Sequence, residues 1–503
     1  MPLQRALLLI GLLIPGCGDE GRLLITLERP KIKSFDPMND VRLSRFNVRV
    51  SQGSEQLEEE AVRTERTELE VGSVPVGDTF DLRLAGKSGT GQMVGLGLVF
   101  DLNISGDRET PVVVKFRKPI GFVAGNHGIE QLDTTASSDS TIRNEPAIAA
   151  PNAADVAASS DGAWIVVVSG TQLQAFLTYD SKRWANVTLP APATCVSVSP
   201  DSRYTVICHE NGTVSVVDMS RLAQNQLELR PVAVGGKPTR VVFGSKRRSA
   251  QVLVDGASYT TGCGVKSRMV EVDVGSAVKG REVALNRPVA DLAVDPRDGR
   301  VLLALACEGK LGRINGDQVE IATQTPGGVY DIALTDQYIV LFGTRAAGGV
   351  ALKGEALLID LNKQGFSTQS KPFFLPGLTF WFATPAGEGA VGWAPETQDF
   401  SIYDIAVAPD GQRALALFRA SYSSNTFYNS CSYNAKMTAY GLMLVDLTVD
   451  RVVHTRFANL EIANCSICGQ DRSKDVRDAL SASGALASPL YTPKGVAMLF
   501  GGP

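Results

Sequence analysis

In the sequence "IAVAPDGQRALALF", residues 405–418, a Pro-Asp-Gly turn joins two apolar runs. Close variants are "VAASSDGAWIVVVSG" at 156–170, "VSVSPDSRYTVIC" at 196–208 and "LAVDPRDGRVLLALAC" at 292–307. Runs of this length, alternating on both sides of a short turn, are typical of two antiparallel strands. These repeats therefore predict a recurring pair of antiparallel strands and an all-β fold.

A second signal follows several of these pairs, an apolar strand that ends in aspartate. It occurs at four places: Asp218, Asp273, Asp360 and Asp446. With a further strand after it, each unit has four strands, and early units recur every 40 to 50 residues or so, as in the blades of a β-propeller. Over residues 154–503 the pattern resembles the YVTN-repeat and WD-repeat-like propellers of exported bacterial proteins. That resemblance implies a fold and leaves the function open, because propellers host many unrelated roles.

The strand pairs predict seven blades, with six or eight as the alternatives. They begin near residues 154, 194, 239, 289, 328, 402 and 485. The last pair reaches the C-terminus with two strands only, so the ring needs two more strands from elsewhere. Residues 119–134 have the pattern of a third and a fourth strand and are predicted to close the ring. The polar residues 135–153 are then predicted to be a linker.

Residues 22–118 predict a small β-sandwich ahead of the propeller. Strand-like runs alternate there between Gly-rich turns. The run "VPVGDTFDLRLAG" at 74–86 resembles the immunoglobulin-like or transthyretin-like modules of exported bacterial proteins. If residues 119–134 supply the third and fourth strands, the sandwich should lie near the face of the propeller that carries the long insertions.

The N-terminus reads as a targeting segment. Residues 1–16 contain Arg5 and a short apolar core, which predicts a signal peptide. The sequence "IPGC" at 14–17 resembles a bacterial lipobox, which implies cleavage before Cys17, lipidation of that residue, and a tether over residues 17–21. Gly18 favours the outer membrane by analogy, and the periplasmic and surface sides stay open. The alternative is an ordinary secretory signal with a chance cysteine.

The composition argues against several functional classes. The net charge of −4 does not favour a nucleic-acid surface. The three histidines have no clustered partners, and the sequence has no phosphate-binding loop and no nucleophile elbow in a suitable setting. We therefore predict no catalytic residue, no metal, no cofactor and no enzyme activity.

The cysteines fit an oxidising compartment. Cys195 and Cys208 are equally distant from the centre of the turn at 200–203, so a regular hairpin places them opposite each other, within reach of a disulfide. The alternative is two buried thiols. The "CSIC" motif lacks a thioredoxin-like setting, and we favour a disulfide from Cys431 to Cys465 or Cys468 over metal binding.

Four insertions are predicted on one face of the propeller: residues 343–356, 375–398, 419–441 and 459–483. They are rich in Tyr, Ser, Asn and Gly, a composition typical of binding surfaces. The candidate contacts are Trp381, Trp393, Tyr422, Phe427, Tyr428, Tyr433 and Tyr440. The alternative is that these aromatic side chains fold back over sheet edges.

These patterns together predict a lipid-anchored lipoprotein of the bacterial cell envelope that binds envelope protein partners as a scaffold. The alternatives are an envelope hydrolase or lactonase with a site in the channel, and a surface adhesin for polysaccharide or cells.

Overall fold

The computed structural model describes most of the chain between residues 20 and 500. The described ranges are 20–30, 36–52, 55–63, 66–91, 93–106, 108–135, 144–159, 162, 164–178, 183–224, 227–244, 248–257, 264–295, 299–305, 307–324, 328–334, 338–344, 353–360, 368–374, 380–383, 390–393, 396–407, 413–428, 431–447, 451–467, 469–482 and 493–500. Nearly all of these residues lie in strands or turns, so the fold is all-β as predicted.

Two sheets at the N-terminus pack around one apolar core. Their strands are β1 (Gly21–Glu28), β2 (Leu43–Gln52), β3 (Glu55–Val62), β4 (Glu68–Val74), β5 (Gly77–Ser88), β6 (Met93–Ile104) and β7 (Glu109–Lys115). The sheet orders are β4-β1-β7 and β3-β2-β5-β6. Phe46, Phe80 and Phe116 are buried between the sheets. The charged strand β3 lies at a sheet edge, where charge discourages pairing with another chain.

Seven further sheets follow, most of them four-stranded and antiparallel. The strands are β8 (Pro119–Gly125), β9 (Gly128–Asp133), β10 (Asn144–Ile148), β11 (Ala153–Ala158), β12 (Trp164–Ser169), β13 (Gln172–Leu177), β14 (Arg183–Thr188), β15 (Ala193–Val198), β16 (Tyr204–His209), β17 (Thr213–Asp218), β18 (Leu229–Ala233), β19 (Pro238–Phe243), β20 (Ser249–Val254), β21 (Arg268–Asp273), β22 (Val278–Ala284), β23 (Val289–Val294), β24 (Val301–Leu305), β25 (Lys310–Asn315), β26 (Gln318–Gln324), β27 (Gly328–Leu334), β28 (Tyr338–Thr344), β29 (Lys353–Asp360), β30 (Thr368–Phe374), β31 (Phe380–Ala383), β32 (Ala390–Trp393), β33 (Glu396–Val407), β34 (Arg413–Tyr428), β35 (Cys431–Asp446), β36 (Arg451–Ile467), β37 (Gln470–Asp471) and β38 (Pro493–Phe500). The helix α1 (Ser473–Ala482) precedes β38, and β31 pairs with β32 as a separate hairpin.

The first strands of the seven sheets contact one another in a closed cycle. The order of contact is β11, β15, β19, β23, β27, β33 and β38, and β38 returns to β11. We call these seven sheets the ring. Its sheets bury apolar side chains against their neighbours; Ile165 and Phe122, for example, belong to one core cluster shared by adjacent sheets.

The sheet that closes the ring differs from the prediction. Its order is β10-β9-β8-β38, so among the described residues the C-terminal segment supplies one strand and residues 119–148 supply three. The two-plus-two division predicted from sequence is therefore wrong. Strand β10 lies inside the predicted linker 135–153, of which residues 136–143 are outside the described part of the chain.

This shift by one strand reverses the expected position of the N-terminal sheets. Strand β8 is the second strand of its sheet, so the chain enters the ring on the face of the first-to-second turns. Arg117, which is completely buried, donates from Nη1 to the Gly162 carbonyl at 3.2 Å, in the turn between β11 and β12. Arg42 donates to the Thr135 carbonyl at 2.6 Å, just after β9. The N-terminal sheets therefore lie against the short-turn face, and the expectation that they lie near the insertion-rich face is wrong.

Candidate functional site

Acidic residues recur at one position of the first strands of the ring. Asp155, Asp291, Asp331 and Asp404 each stand at a register shift in the pairing of the first strand with the second. Arg240 occupies the same position in β19. Such bulges add a residue to one strand and redirect side chains. Here they bring the acidic residues and Arg240 into one cluster, which we call the central cluster.

The carboxylates of the central cluster tie neighbouring sheets together. Asp155 Oδ2 accepts a hydrogen bond of 2.9 Å from the backbone N–H of Val196, which lies on β15 in the next sheet. Asp291 Oδ2 accepts the N–H of Ile332 at the same distance, and Asp331 Oδ2 accepts that of Ile405 at 2.6 Å. Each bond joins one first strand to the following one.

Arg240 is shared among several of these carboxylates. Its Nη2 lies 3.1 Å from Asp404 Oδ1 and 3.8 Å from Asp331 Oδ2, and its Nε lies 3.7 Å from Asp291 Oδ1. Nη2 also donates to the Tyr403 carbonyl at 3.2 Å. The Arg240 side chain keeps 26% of its surface exposed, whereas these three carboxylates are nearly inaccessible. One guanidinium thus partly neutralises several buried acids.

The electrostatics of the cluster follow from burial and crowding. Burial, together with the nearby charge of Asp404, raises the pKa of Asp155 to about 7. Burial and the adjacent Asp291 raise the pKa of Asp331 well above its ordinary value. Burial disfavours the charged form of Arg240, but the surrounding carboxylates outweigh that effect and raise its pKa. Asp155 and Asp331 can therefore stay protonated at a higher pH than ordinary aspartates while the cluster holds the sheets together.

The sheet that contributes Asp404 is much longer than the others. Strands β34 and β35 have 16 residues each, whereas the corresponding strands β12 and β13 have six. Pairing continues without a break from Ala420–Ala439 to Tyr428–Cys431. We call residues 420–439 the extended hairpin. At the usual rise per residue it reaches roughly 25 Å beyond the part of the sheet that corresponds to the other strands.

The prediction that residues 419–441 form a loop is therefore wrong, because the two strands pair almost to the tip. The predicted connection 459–483 also has regular structure, since it continues β36, pairs with β37 and forms α1. Helix α1 contacts β36 and buries Val476 completely.

The predicted partner contacts fall into two groups. Tyr422 is 1% exposed and cannot form a surface contact, which contradicts that part of the prediction. Tyr440 is partly buried. The side chains of the others lie outside the described part of the structure: Trp381, Trp393, Phe427, Tyr428 and Tyr433.

The structure contains the predicted disulfide between Cys195 and Cys208, which pair directly across β15 and β16. Cys465 is a buried free thiol, so its predicted disulfide with Cys431 is wrong. The register explains this, because Cys465 faces Ala435, four residues along β35 from Cys431. Cys468 and the Cys431 side chain are outside the described residues. Cys307 is also disulfide-bonded, which the sequence did not suggest.

Other side chains that could take part in catalysis or metal binding are held in structural contacts. His209 is fully buried, with Nε2 2.8 Å from Ser215 Oγ and Nδ1 3.2 Å from the Ala191 carbonyl, and burial lowers its pKa. Within the described ranges, no group of three His, Cys, Asp or Glu side chains could hold a metal ion. No helix in the same ranges is long and apolar enough to cross a membrane. Cys17 lies outside them.

Comparisons with known proteins identify no family. No family model matches the sequence, and no curated protein matches it. Among solved structures, the chain is similar to Kuenenia stuttgartiensis hydrazine synthase, with 16% identity and a TM-score of 0.41, over 55% of this chain and 77% of that one. No conclusion about this chain rests on so distant a likeness.

Proposed function

We propose that the ring is a seven-bladed β-propeller and that the N-terminal sheets are a β-sandwich docked beside it. The closed cycle of first-strand contacts supports the propeller, because both faces of each sheet are then covered by its two neighbours. The core shared by the two N-terminal sheets supports the sandwich.

We further propose that the protein is a binding scaffold that engages a protein partner through the extended hairpin. The observation that carries this proposal is the length of β34 and β35, which extend past the ring although the ring itself needs only the short strands. Tyr422, Met437 and Ala439 are buried at the base of the hairpin, and its strands pair continuously from there to Tyr428–Cys431, so we expect a rigid arm. A rigid arm loses little conformational entropy when it binds.

The cellular setting remains a proposal that rests on the sequence. The signal-like residues 1–16 and the lipobox-like "IPGC" support a lipid anchor at Cys17 in the bacterial envelope, with the outer membrane as the destination. A partner would then be another envelope protein.

The hydrolase alternative would need an accessible acid or base at the centre of the ring. Asp155 has a pKa near neutrality, which is typical of such groups. However, both of its carboxylate oxygens accept backbone N–H groups, from Val156 at 2.8 Å and Val196 at 2.9 Å. These bonds favour a structural role.

The test removes the arm and keeps the ring. Residues 424–435, beyond the buried Tyr422 and Met437, are replaced by an Asn-Gly turn that joins the paired residues Ser423 and Lys436. Tagged protein is crosslinked in intact envelopes, purified and analysed by mass spectrometry. We expect a partner that is captured with the full-length protein and lost with the shortened hairpin.

A matched control shortens residues 345–352, between β28 and β29, in the same way and should keep the partner. Capture that is unchanged when the hairpin is shortened would reject the proposed arm. Binding to purified polysaccharide in place of protein would favour the adhesin alternative.

A further inference from the structure

A cavity of about 350 Å³ lies between two neighbouring sheets of the ring, β19–β22 and β23–β26, away from the central cluster. This volume is at the lower end of the range for small-molecule sites. Its apolar lining comes from both sheets: Met269, Val294, Val301 and Ile314. All four are at most 8% exposed, so the cavity has a packed apolar wall.

A row of polar groups crosses one side of the cavity. Gln251 on β20 faces Glu271 on β21 in the pairing register. Gln251 Nε2 donates to Ser249 Oγ at 3.0 Å, and Ser249 Oγ donates to Glu271 Oε1 at 2.6 Å. Both hydrogen bonds run toward Glu271, so the row ends in a carboxylate that can accept a hydrogen bond from a ligand.

The carbonyl of Gln251 is the informative atom. Gln251 is 9% exposed, and its Oε1 has no hydrogen-bond partner among the described residues. A buried acceptor without a partner destabilises the protein. This oxygen has almost no accessible surface, so a bound donor satisfies it once the amide rotates toward the cavity, and Glu271 beside it favours a donor with positive charge.

The outer end of the cavity, toward β22, is lined by positively charged side chains. Arg281 on β22 and Arg300 before β24 both line it. Arg281 uses Nη2 and Nε to hold Gly316 and Asp317 of the next sheet, at 2.7 and 3.2 Å from Asp317 Oδ1. A guanidinium has five donors, so Arg281 retains further donors for an anion.

We propose that this cavity binds a small zwitterion with an apolar skeleton, such as a free apolar amino acid. Its ammonium group contacts Gln251 Oε1 and Glu271. Its carboxylate contacts Arg281 and Arg300, and its side chain packs on Met269 and the valines. This site is independent of the extended hairpin and of the proposed scaffold.

The test is isothermal titration of the purified full chain, without its lipid anchor, with four probes: L-alanine, L-valine, L-leucine and L-methionine. We expect at least one to bind with one-to-one stoichiometry. Two analogues of that amino acid separate the charges: the amide, which lacks the carboxylate, and the α-hydroxy acid, which lacks the ammonium. Each should bind at least roughly tenfold more weakly, as expected for a lost charge-assisted hydrogen bond.

Variants locate the binding. Gln251→Leu keeps the size of the side chain but removes the acceptor, and should weaken binding roughly tenfold or more. The matched control is Gln174→Leu, because Gln174 on β13 is also buried and also has an unpaired Oε1, in a sheet remote from the cavity. That variant should bind as the wild type does.

Three results would overturn the proposal. The first is no heat of binding with any of the four probes at millimolar concentration. The second is equal affinity for the amino acid and its α-hydroxy analogue. The third is equal affinity of Gln251→Leu and Gln174→Leu for the amino acid, when circular dichroism shows that both variants are folded.

Discussion

Arg240 carries one positive charge into a region with four buried aspartates. It lies within 4 Å of three of them, Asp291, Asp331 and Asp404, and it also attracts Asp155. The remaining negative charge is lowered in two ways. Backbone N–H groups donate to the carboxylates, and burial raises the pKa of Asp155 to about 7 and that of Asp331 well above its ordinary value, which favours their protonated forms. The cluster therefore depends on Arg240 more than on any single acid.

The first prediction concerns that arginine. Arg240→Met removes the charge and keeps the apolar part of the side chain, leaving the carboxylates uncompensated. We expect the free energy of unfolding to fall by about 3–5 kcal/mol, as for other broken buried ion pairs. Urea denaturation followed by circular dichroism measures this change.

Arg313→Met is the control for Arg240→Met. Arg313 pairs with Glu320 at 2.9 Å, but both side chains are at least one-third exposed. The control should cost less than about 1 kcal/mol. Equal losses of unfolding free energy in the two variants would show that Arg240 stabilises the protein no more than an exposed ion pair does.

The second prediction concerns pH. The pKa of Asp155 is raised from 3.8 to about 7 in the folded state, so the folded protein binds this proton more tightly than the unfolded chain. Its contribution to stability is complete below about pH 4 and is lost as the pH rises toward 7 and above. Asp155→Asn removes the titration. The stability of the wild type relative to this variant should fall by on the order of 4 kcal/mol between pH 4 and pH 8.

Denaturant titrations at each pH measure that difference. Asp218→Asn is the control, because burial is outweighed by the hydrogen bonds from Ser220 together with the nearby Arg203, and the pKa of Asp218 is lowered. For a lowered pKa the stability is lost only as the pH falls below about 4, so the control difference should be flat from pH 4 to 8. A flat difference for Asp155→Asn as well would contradict the assignment.

At the scale of the strand, the sequence predicts pairing better than it predicts where side chains point. The repeated phrases begin at residues 156, 292 and 405, one residue after Asp155, Asp291 and Asp404. A polar residue before an apolar run looks like a strand boundary. In the structure each of these aspartates stands at a bulge inside the strand, and nothing in the alternation signals the bulge.

The extended hairpin shows a related limit. Residues 419–441 contain many Ser, Asn and Tyr residues and no aliphatic alternation, so they were predicted to form a loop. The structure has an alternation made of small, aromatic and sulfur-containing side chains. Ala420 and Tyr422 are buried on one strand, and Met437 and Ala439 on the other. A hydropathy pattern based on Val, Ile and Leu does not detect such a strand.

The cavity between β19–β22 and β23–β26 could not be predicted in the same way. Its polar row, Ser249, Gln251 and Glu271, lies on two strands of one sheet, but its apolar wall and Arg300 belong partly to the next sheet. The relative placement of two sheets is not encoded in any local pattern.

The third prediction concerns the hairpin of β15 and β16. Cys195 occupies the position that holds aspartate in four other first strands, and its disulfide to Cys208 closes a short segment, with a sequence separation of 13. Replacing both cysteines with serine should lower the free energy of unfolding by about 3 kcal/mol. Urea denaturation of the oxidised protein measures this loss, and reductant should bring the wild type close to the variant.

Cys465→Ser is the control for the disulfide. Cys465 is a buried free thiol, so its replacement breaks no covalent bond and its effect should not depend on reductant. A double variant as stable as the oxidised wild type would show that the disulfide is absent or contributes nothing.

At the scale of the molecule, two segments far apart in sequence complete one sheet. Strand β38 pairs with β8 from Pro493–Gly125 to Phe500–Pro119 and contacts the first strands β11 and β33 on either side. The same sheet receives the chain from the N-terminal sheets, where Lys118 Nζ lies 2.9 Å from Asp40 Oδ2 and 3.6 Å from Asp133 Oδ2. The closing sheet therefore links the stability of the ring to its docking with the N-terminal sheets.

The last prediction follows from this closure. Deleting residues 493–503 removes β38, leaves β8 with an unpaired edge and uncovers the apolar side chains of Ile120 and Phe122, which are otherwise fully buried. We expect the truncated chain to lose the cooperative unfolding transition of the ring, as measured by circular dichroism during heating, and to aggregate in size-exclusion chromatography. A peptide of residues 491–503 added in excess should restore the transition, because it supplies the missing strand in trans.

The control deletes residues 501–503 alone. That variant keeps β38 and should unfold as the full chain does. If the chain without β38 melts at the same temperature as the full chain, closure through the C-terminal strand does not hold the ring together, and a new contact between β33 and β11 would have to form across the gap.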